Sequence, residues 1–265
     1  MPLIRPIVLL TDFGPSSAYV GQMKLVFHRL SPKAPVMDLA HDLPPHNVAA
    51  ASMALEGAAR FLPHRSIVVA VVDPGVGSDR RIVAARYSRG LCVLAPDNGL
   101  LAAAAGLGKP AAVRVVENDA LFLKPVSPVF HGRDIFTPIA ARLSRGFAFA
   151  KLGPVRSHTA LVSPPWPDPL VERTIQGVRV VHVDRFGNLI TNLRASAFGK
   201  RRVLEATYKR RRFPFATHYG TVKKGGALSL IGSHGRLELA LREASAAQKF
   251  CIALGAKVNV TCSDS

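Results

Sequence analysis

Ser66-Ile67-Val68-Val69-Ala70-Val71-Val72-Asp73-Pro74-Gly75-Val76-Gly77 is an almost uninterrupted β-branched run that stops on a carboxylate and enters a Pro/Gly turn. A strand that is apolar on both alternating faces is buried on both sides, as in a parallel sheet covered by helices. The flanking sequence repeats the theme. Upstream, Ile7 to Leu10 reads as a strand ending at Thr11-Asp12-Phe13-Gly14. It is followed by a helical pattern from Ala18 to Leu30, a short strand from Pro35 to Leu39 and an Ala-rich helix from Pro45 to Leu62. Downstream, Arg81 to Arg86 and Leu91 to Ala95 read as a further strand pair, and Asn98 to Ala105 as a helix start. Asp134 to Leu143 reads as a helix entered from the His131-Gly132-Arg133 turn. We therefore expect an α/β N-terminal domain with a mainly parallel central sheet over residues 1–162.

Leu161 to Pro169 carries four prolines around Trp166, a composition that suits a linker, placed at residues 163–174. Beyond it, Gln176 to Val183, Val203 to Tyr208, Ala227 to Ile231 and Lys257 to Val260 read as short strands between Gly-containing turns, with helical periodicity only near Leu237 to Phe250. Residues 175–265 are thus expected to form a smaller, mostly antiparallel β domain.

Hydrophobic residues make up 48% and charged residues 20% of the 265, which excludes a disordered tail protein. No apolar stretch approaches the ~20 residues of a spanning helix, and the early Asp12 argues against a signal peptide, so we expect a cytoplasmic protein without membrane contact. Three cysteines, Cys92, Cys251 and Cys262, fit neither a disulfide framework nor a zinc site, and the nine histidines are scattered; no metal is expected. The net charge of +18 is the figure that argues for another function, nucleic-acid binding by the patch from Lys200 to Lys224. Only Tyr208, Phe213 and Phe215 accompany that patch, so a solvated face is the preferred reading and nucleic-acid binding the alternative.

Asp12 and Asp73 both follow buried strands, at the carboxyl ends where open parallel sheets bind ligands. Asp12 has acceptors for both hydroxyls of a ribose diol, or it simply caps its turn. Arg80 or Arg81 is placed to return and hold Asp73 ionised by a bidentate contact; for Arg81 a surface position is preferred. His131 precedes a helix start, where backbone N–H groups and developing negative charge are easily accommodated, although a lone His is more often structural. In Asp184-Arg185-Phe186-Gly187-Asn188-Leu189-Ile190-Thr191-Asn192, Phe186 is suited to stack on a flat heterocycle while Asp184 and Asn188 read polar groups. The alternative is a plain turn with a core Phe.

Thr11-Asp12-Phe13-Gly14, VVDPGVGSDRR (71–81), APDNGLL (95–101), FHGRDIFTPIAA (130–141), VDRFGNLITN (183–192) and GSHGRLELALREASAA (232–247) together resemble, in order and spacing, the S-adenosylmethionine hydroxide adenosyltransferase family. The resemblance runs from about residue 6 to the C-terminus. It implies a β-barrel-like C-terminal domain and a homotrimer with active sites between neighbouring subunits. The implied reaction is attack of water or hydroxide on the ribose C5′ of S-adenosyl-L-methionine, giving adenosine and L-methionine, with no cofactor and no metal. On this resemblance Asp73, Arg80 and His131 are the catalytic residues. Asp12 binds the ribose, Phe186 and Asn188 lie on the adenine or methionine side, and Asp184 meets the methionine ammonium. Ser233, Glu238 and the backbone near Ala244 complete the ligand contacts. The family's halogenating relatives carry Tyr-Ser where this chain has His131-Gly132, and they have a longer insertion after the segment matching Gly77 that is missing here, so hydrolysis is expected rather than halogenation.

Overall fold

A computed structural model describes residues 4–263 except 165, 173 and 200. Lys200 of the basic patch, and Pro165 and Arg173 of the expected linker, therefore lie outside the described residues. The chain divides into two compact units, residues 1–165 and 166–265.

The first unit is built on strands β1 (Ile7–Thr11), β2 (Val36–Ala40), β3 (Ile67–Val71), β4 (Ile82–Arg86), β5 (Cys92–Pro96), β6 (Ala112–Val115) and β7 (Val155–Arg156). They form one sheet in the order β2-β1-β3-β5-β4-β6-β7. β1, β2, β3, β5 and β6 point one way, and β4 and β7 run against them. The expected mainly parallel sheet and the β4–β5 strand pair are both present. Four helices cover it: α1 (Ala18–Leu30), α2 (Val48–Ala58), α3 (Leu100–Ala103) and α4 (Thr137–Ser144). Alternate residues of β1 and β3 explain the two layers. Ile7, Leu9, Ile67 and Val69 pack with Val20, Phe27 and Ile139 of α1 and α4. Val8, Leu10, Val68 and Ala70 pack with Ala51, Leu55 and Leu100 of α2 and α3. Burial on both faces is what removes the polar alternation from these strands.

Two expected helices differ in extent. The Ala-rich helix begins at Val48 and not at Pro45, because Asn47 Oδ1 accepts from the Ala50 N–H at 2.9 Å and caps it there. The segment before α4 is a π turn, Gly132–Phe136: both the Thr137 N–H and its hydroxyl, at 2.8 Å, go to the Gly132 carbonyl, and Pro138 follows without an N–H to give.

The second unit contains β8 (Leu170–Val171) and β9 (Ile175–Gln176), which pair with each other, so part of the expected linker is a small hairpin. Then come β10 (Val180–Val183), β11 (Leu189–Arg194), β12 (Val203–Tyr208), β13 (Arg211–Pro214), β14 (Ala227–Ile231), β15 (Arg236–Leu241), helix α5 (Ala246–Phe250) and β16 (Asn259–Cys262). They form antiparallel sheets in the orders β10-β11-β15-β14 and β13-β12-β16; among the described residues no sheet closes on itself. Of the helical periodicity read near Leu237 to Phe250, the end is helix α5, whereas its start is corrected to strand β15. Leu237, Leu239 and Leu241 face the main core of the unit, whereas Ala240 packs with Leu228 and Leu230, so a period of two is hidden by burial on both faces. The turn read from Asp184 to Asn192 likewise ends at Asn188, and β11 begins at Leu189.

Candidate functional site

The strand order sets the carboxyl ends of β1, β3 and β5 side by side, with Asp12, Asp73 and Asp97 just beyond them. Asn98 ties two of these ends together, its Nδ2 donating to the Val72 carbonyl at 2.8 Å. From this edge the turn after Asp73 brings Arg80 back onto the carboxylate. Arg80 Nε donates to Asp73 Oδ1 and Oδ2 at 3.0 and 2.9 Å, and Nη2 donates to Oδ2 at 2.5 Å. The Asp73 and Arg80 side chains are only 5% and 11% exposed, so this pair is not a screened surface contact.

Arg80 Nη2 also lies 2.8 Å from His131 Nδ1. A guanidinium only donates, so Nδ1 accepts and the neutral ring carries its proton on Nε2. Burial lowers the His131 pKa, the Arg80 charge lowers it further, and Asp73 and Asp134 only partly oppose this. His131 is held uncharged. Asp134 is itself committed: burial pushes its carboxyl up, but hydrogen bonds from Arg133 at 2.7 and 2.9 Å and from the Ser127 N–H at 2.9 Å outweigh that and depress it. The π turn puts Gly132 under the Phe13 ring, where a Cβ would meet it at 3.3 Å, so the residue after His131 is small for a packing reason.

Arg81 lies at the surface as expected, its side chain 44% exposed, and from there its Nε holds Asp97 at 3.1 Å. The Asp97 side chain is nearly inaccessible and also accepts from the Val162 N–H at 2.8 Å, so a counter-ion is needed there. Asp12 stands at the end of β1 with Oδ2 accepting the His46 N–H at 2.8 Å.

In the second unit, Asp184, Phe186, Asn188, Ser233, Glu238 and Ala244 all line a single cleft of about 1180 Å³. Asp184 folds the turn that forms one wall: Oδ1 accepts from the Phe186 and Asn188 N–H groups at 2.9 and 2.8 Å, and Oδ2 from Asn188 Nδ2 at 2.9 Å. Gly187 has φ +82°, and a Cβ there would fall 2.0 Å from Ser245 Oγ, so only glycine closes this wall. Phe186 is 77% exposed, which rules out the reading of a core Phe.

Glu238 projects from the buried strand β15 and receives the Tyr219 hydroxyl. Burial raises the Glu238 pKa; the Tyr219 hydrogen bond holds it back, and the nearby Asp184 charge adds to the rise. Asn188 Nδ2 reaches the same hydroxyl at 3.4 Å, so Tyr219 joins the Asp184 turn to β15. Tyr219 was absent from the sequence reading, since nothing in His218-Tyr219-Gly220 announces a pairing with a carboxylate nineteen residues away.

The basic patch is a hairpin surface. Lys209, Arg210, Arg211 and Arg212 are exposed around the β12–β13 turn, with Arg212 paired to Glu205 at 2.7 Å and Lys224 to Glu243 at 3.3 Å. Arg211 lies over the Phe250 ring and Lys209 over Tyr208, so these aromatic faces serve the chain's own cations. No helix among the described residues is long and apolar enough to cross a membrane.

A buried Asp73–Arg80 pair with His131 beside it at the carboxyl edge of a sheet covered on both faces, and a cleft of its own in the following β unit, make this a two-unit α/β protein. The chain belongs to the SAM hydroxide adenosyltransferase family, whose N-terminal domain matches residues 7–153 and whose C-terminal domain matches residues 178–259. It is 38% identical to a protein of Thermus thermophilus named (R)-S-adenosyl-L-methionine hydrolase, over 96% of this chain and 97% of that protein. It is also 38% identical to one of the same name from Salinispora tropica, over 95% of each. Its fold matches the crystal structure of an uncharacterized conserved protein from Thermotoga maritima with a TM-score of 0.83 at 33% identity, covering 96% of this chain and 99% of that one.

Proposed function

We propose that this chain hydrolyses S-adenosyl-L-methionine to adenosine and L-methionine by attack of water or hydroxide on the ribose C5′. The observation that carries the reading is the Arg80 bridge between Asp73 and an uncharged His131, in a chain whose full-length relatives are named for this hydrolysis. The (R) in their names makes the (R) sulfonium epimer the first substrate to test. Nothing in the comparisons favours nucleic-acid binding by the basic hairpin.

The chemistry suits the residues. As the oxygen of water bonds to C5′, the C5′–S bond breaks with its electron pair going to sulfur, and the sulfonium leaves as the neutral thioether of methionine. That leaving group needs no Lewis acid. Neutral water is the weak partner; His131 Nε2–H and Arg80 orient it, and the Asp73 carboxylate, which alone of the three keeps a lone pair, takes up its proton as the C–O bond forms. An uncharged His131 adds no repulsion toward a cationic substrate. Asp12 keeps lone pairs for a ribose diol after accepting from His46. In the other unit Phe186 offers an exposed ring to a flat base, Asn188 and Asp184 offer an amide and a carboxylate beside it, and Ser233, Glu238 and the Ala244 backbone complete the cleft.

The same reading assigns residues 1–162 and 175–265 as the two domains around the 163–174 linker, a division supported by the two family matches. It takes the C-terminal domain as barrel-like, since Val180 and Leu189 of one sheet share a core with Ala206 and Phe213 of the other. It places the working enzyme in the cytoplasm, as a homotrimer with sites at subunit interfaces, which fits ligand residues carried on separate units. Incubating the purified chain with each S-adenosylmethionine epimer and separating the products tests the function. Adenosine and methionine in equal amounts are expected, and no turnover of either epimer sinks the reading.

A further inference from the structure

We infer that His41 is a positioning residue for the Asp12 turn, set beside the Asp38 carboxylate and acting through hydrogen bonds that run from its ring by the Thr11 hydroxyl to the backbone of Phe13. The inference rests on the proposed role of Asp12 toward a ribose diol.

Lys24 Nζ on α1 donates to Asp38 Oδ2 on β2 at 2.6 Å, and the other carboxylate oxygen lies 3.0 Å from His41 Nε2. The opposite ring nitrogen, Nδ1, is 2.8 Å from Thr11 Oγ1, and that oxygen accepts the Phe13 N–H at 3.3 Å. The Asp38 carboxylate beside Nε2 favours the ring proton there by its charge, although the N–H is not aimed at it as a hydrogen bond; Nδ1 then accepts from the Thr11 hydroxyl, and the hydroxyl oxygen is free to accept from Phe13. Burial alone lifts the Asp38 pKa, but the neighbouring His41 and Lys24 outweigh it and keep the carboxylate ionised, which fixes the charge beside Nε2.

Thr11 is fully buried, so the carboxylate–imidazole–hydroxyl series is not a nucleophile in waiting; its product is backbone geometry. The segment that carries His41 grips the same turn twice more. The Gly14 N–H donates to the His41 carbonyl at 2.7 Å, and the His46 N–H donates to Asp12 Oδ2 at 2.8 Å. Asp12 therefore sits between Thr11 and Phe13, the last two members of the series, with its own carboxylate oriented by a residue five positions beyond His41. The Phe13 ring is anchored separately against Tyr19 and Phe130, with centroids 5.8 and 5.9 Å away, whereas nothing lies within 4 Å of a Cβ built on Gly14, at φ +86°, so these hydrogen bonds are what orient the backbone there.

Steady-state hydrolysis by His41→Ala, His41→Asn, Asp12→Ala and the Asp12→Ala/His41→Ala double variant of the full chain tests this. His41→Ala is expected to raise KM about tenfold, the scale of one positioning hydrogen bond with a buried partner left unpaired, while kcat changes less than about threefold. His41→Asn, whose amide reaches the place of Nδ1 and keeps a partner for the Thr11 hydroxyl, recovers most of the loss. The double variant is no worse than Asp12→Ala, because both changes remove the same contact. Losses that multiply in the double variant, a fall in kcat at unchanged KM, or no recovery by Asn overturns the inference. Amide hydrogen exchange separates this from failure of the hydrolase reading. Even if the wild-type chain turned over no substrate, His41→Ala must speed exchange at Phe13 and Gly14 while leaving the β5 amides unchanged, and unaltered exchange at Phe13 and Gly14 refutes the positioning role itself.

Discussion

Arg80 Nη2 donates both to Asp73 Oδ2, at 2.5 Å, and to His131 Nδ1, at 2.8 Å, so one guanidinium nitrogen sets the positions of a carboxylate from the end of β3 and an imidazole from the entry to α4. Removing it frees both. Arg80→Lys keeps the charge but loses the fork, and kcat is expected to fall about 10²-fold or more, with Asp73→Asn and His131→Ala costing about 10² to 10⁴-fold, the range of acid–base assistance. Far-ultraviolet circular dichroism unchanged from wild type, beside these losses, distinguishes chemistry from unfolding.

The uncharged His131 has a pH consequence. Its pKa lies below the ordinary 6.5 because of burial and the Arg80 charge. In the unfolded chain the ring takes up a proton near the ordinary value, so its contribution to stability is full above that pH and is lost as pH falls toward the folded pKa. The acid limb of kcat/KM should therefore fall below 6.5. Imidazole NMR titration is expected to give the same midpoint, moved upward in Arg80→Met. A midpoint at or above the ordinary value contradicts the arrangement.

Glu238 behaves with the opposite sign. Its pKa is raised by burial, with Tyr219 restraining the rise. Between the ordinary carboxylate value and the raised one, the folded chain binds more protons than the unfolded chain, so stability declines as pH climbs through that window. Glu238→Gln should flatten this slope in thermal melts, and Tyr219→Phe should move the Glu238 midpoint higher still in carboxyl NMR. A lower midpoint in Tyr219→Phe would mean that the hydroxyl does not donate to Glu238.

Gly187→Ala tests the cleft wall. The positive φ and the 2.0 Å approach to Ser245 Oγ oblige something to move, and a cost of about 1–3 kcal/mol is expected in urea unfolding, with weaker adenosine binding by calorimetry. Gly199→Ala is the control, since it also has positive φ but nothing within 4 Å; equal effects on adenosine binding would show that the contact with Ser245 is not what matters.

What the sequence made legible follows from where information is local. A strand buried on both faces leaves an unbroken apolar run, so β3 and the position of Asp73 after it were readable, as was the return of an arginine from a short Gly turn. The surface position of Arg81 was readable but its pairing was not, because Asp97 comes from a different strand end and sequence spacing does not report such pairings. β15 was misread since Leu, Glu and Ala favour helices, and only its two-sided burial makes it a strand. Tyr219 and His41 act through partners brought close by the fold, nineteen and thirty residues away, and so carried no local signal.

Hydrolysis in ¹⁸O-labelled water followed by mass spectrometry of both products tests the central claim most directly. Attack on C5′ places one ¹⁸O in the 5′-hydroxyl of adenosine and none in methionine, with a rate that collapses in His131→Ala. Unlabelled adenosine, or label carried by methionine, would contradict attack by water at the ribose carbon.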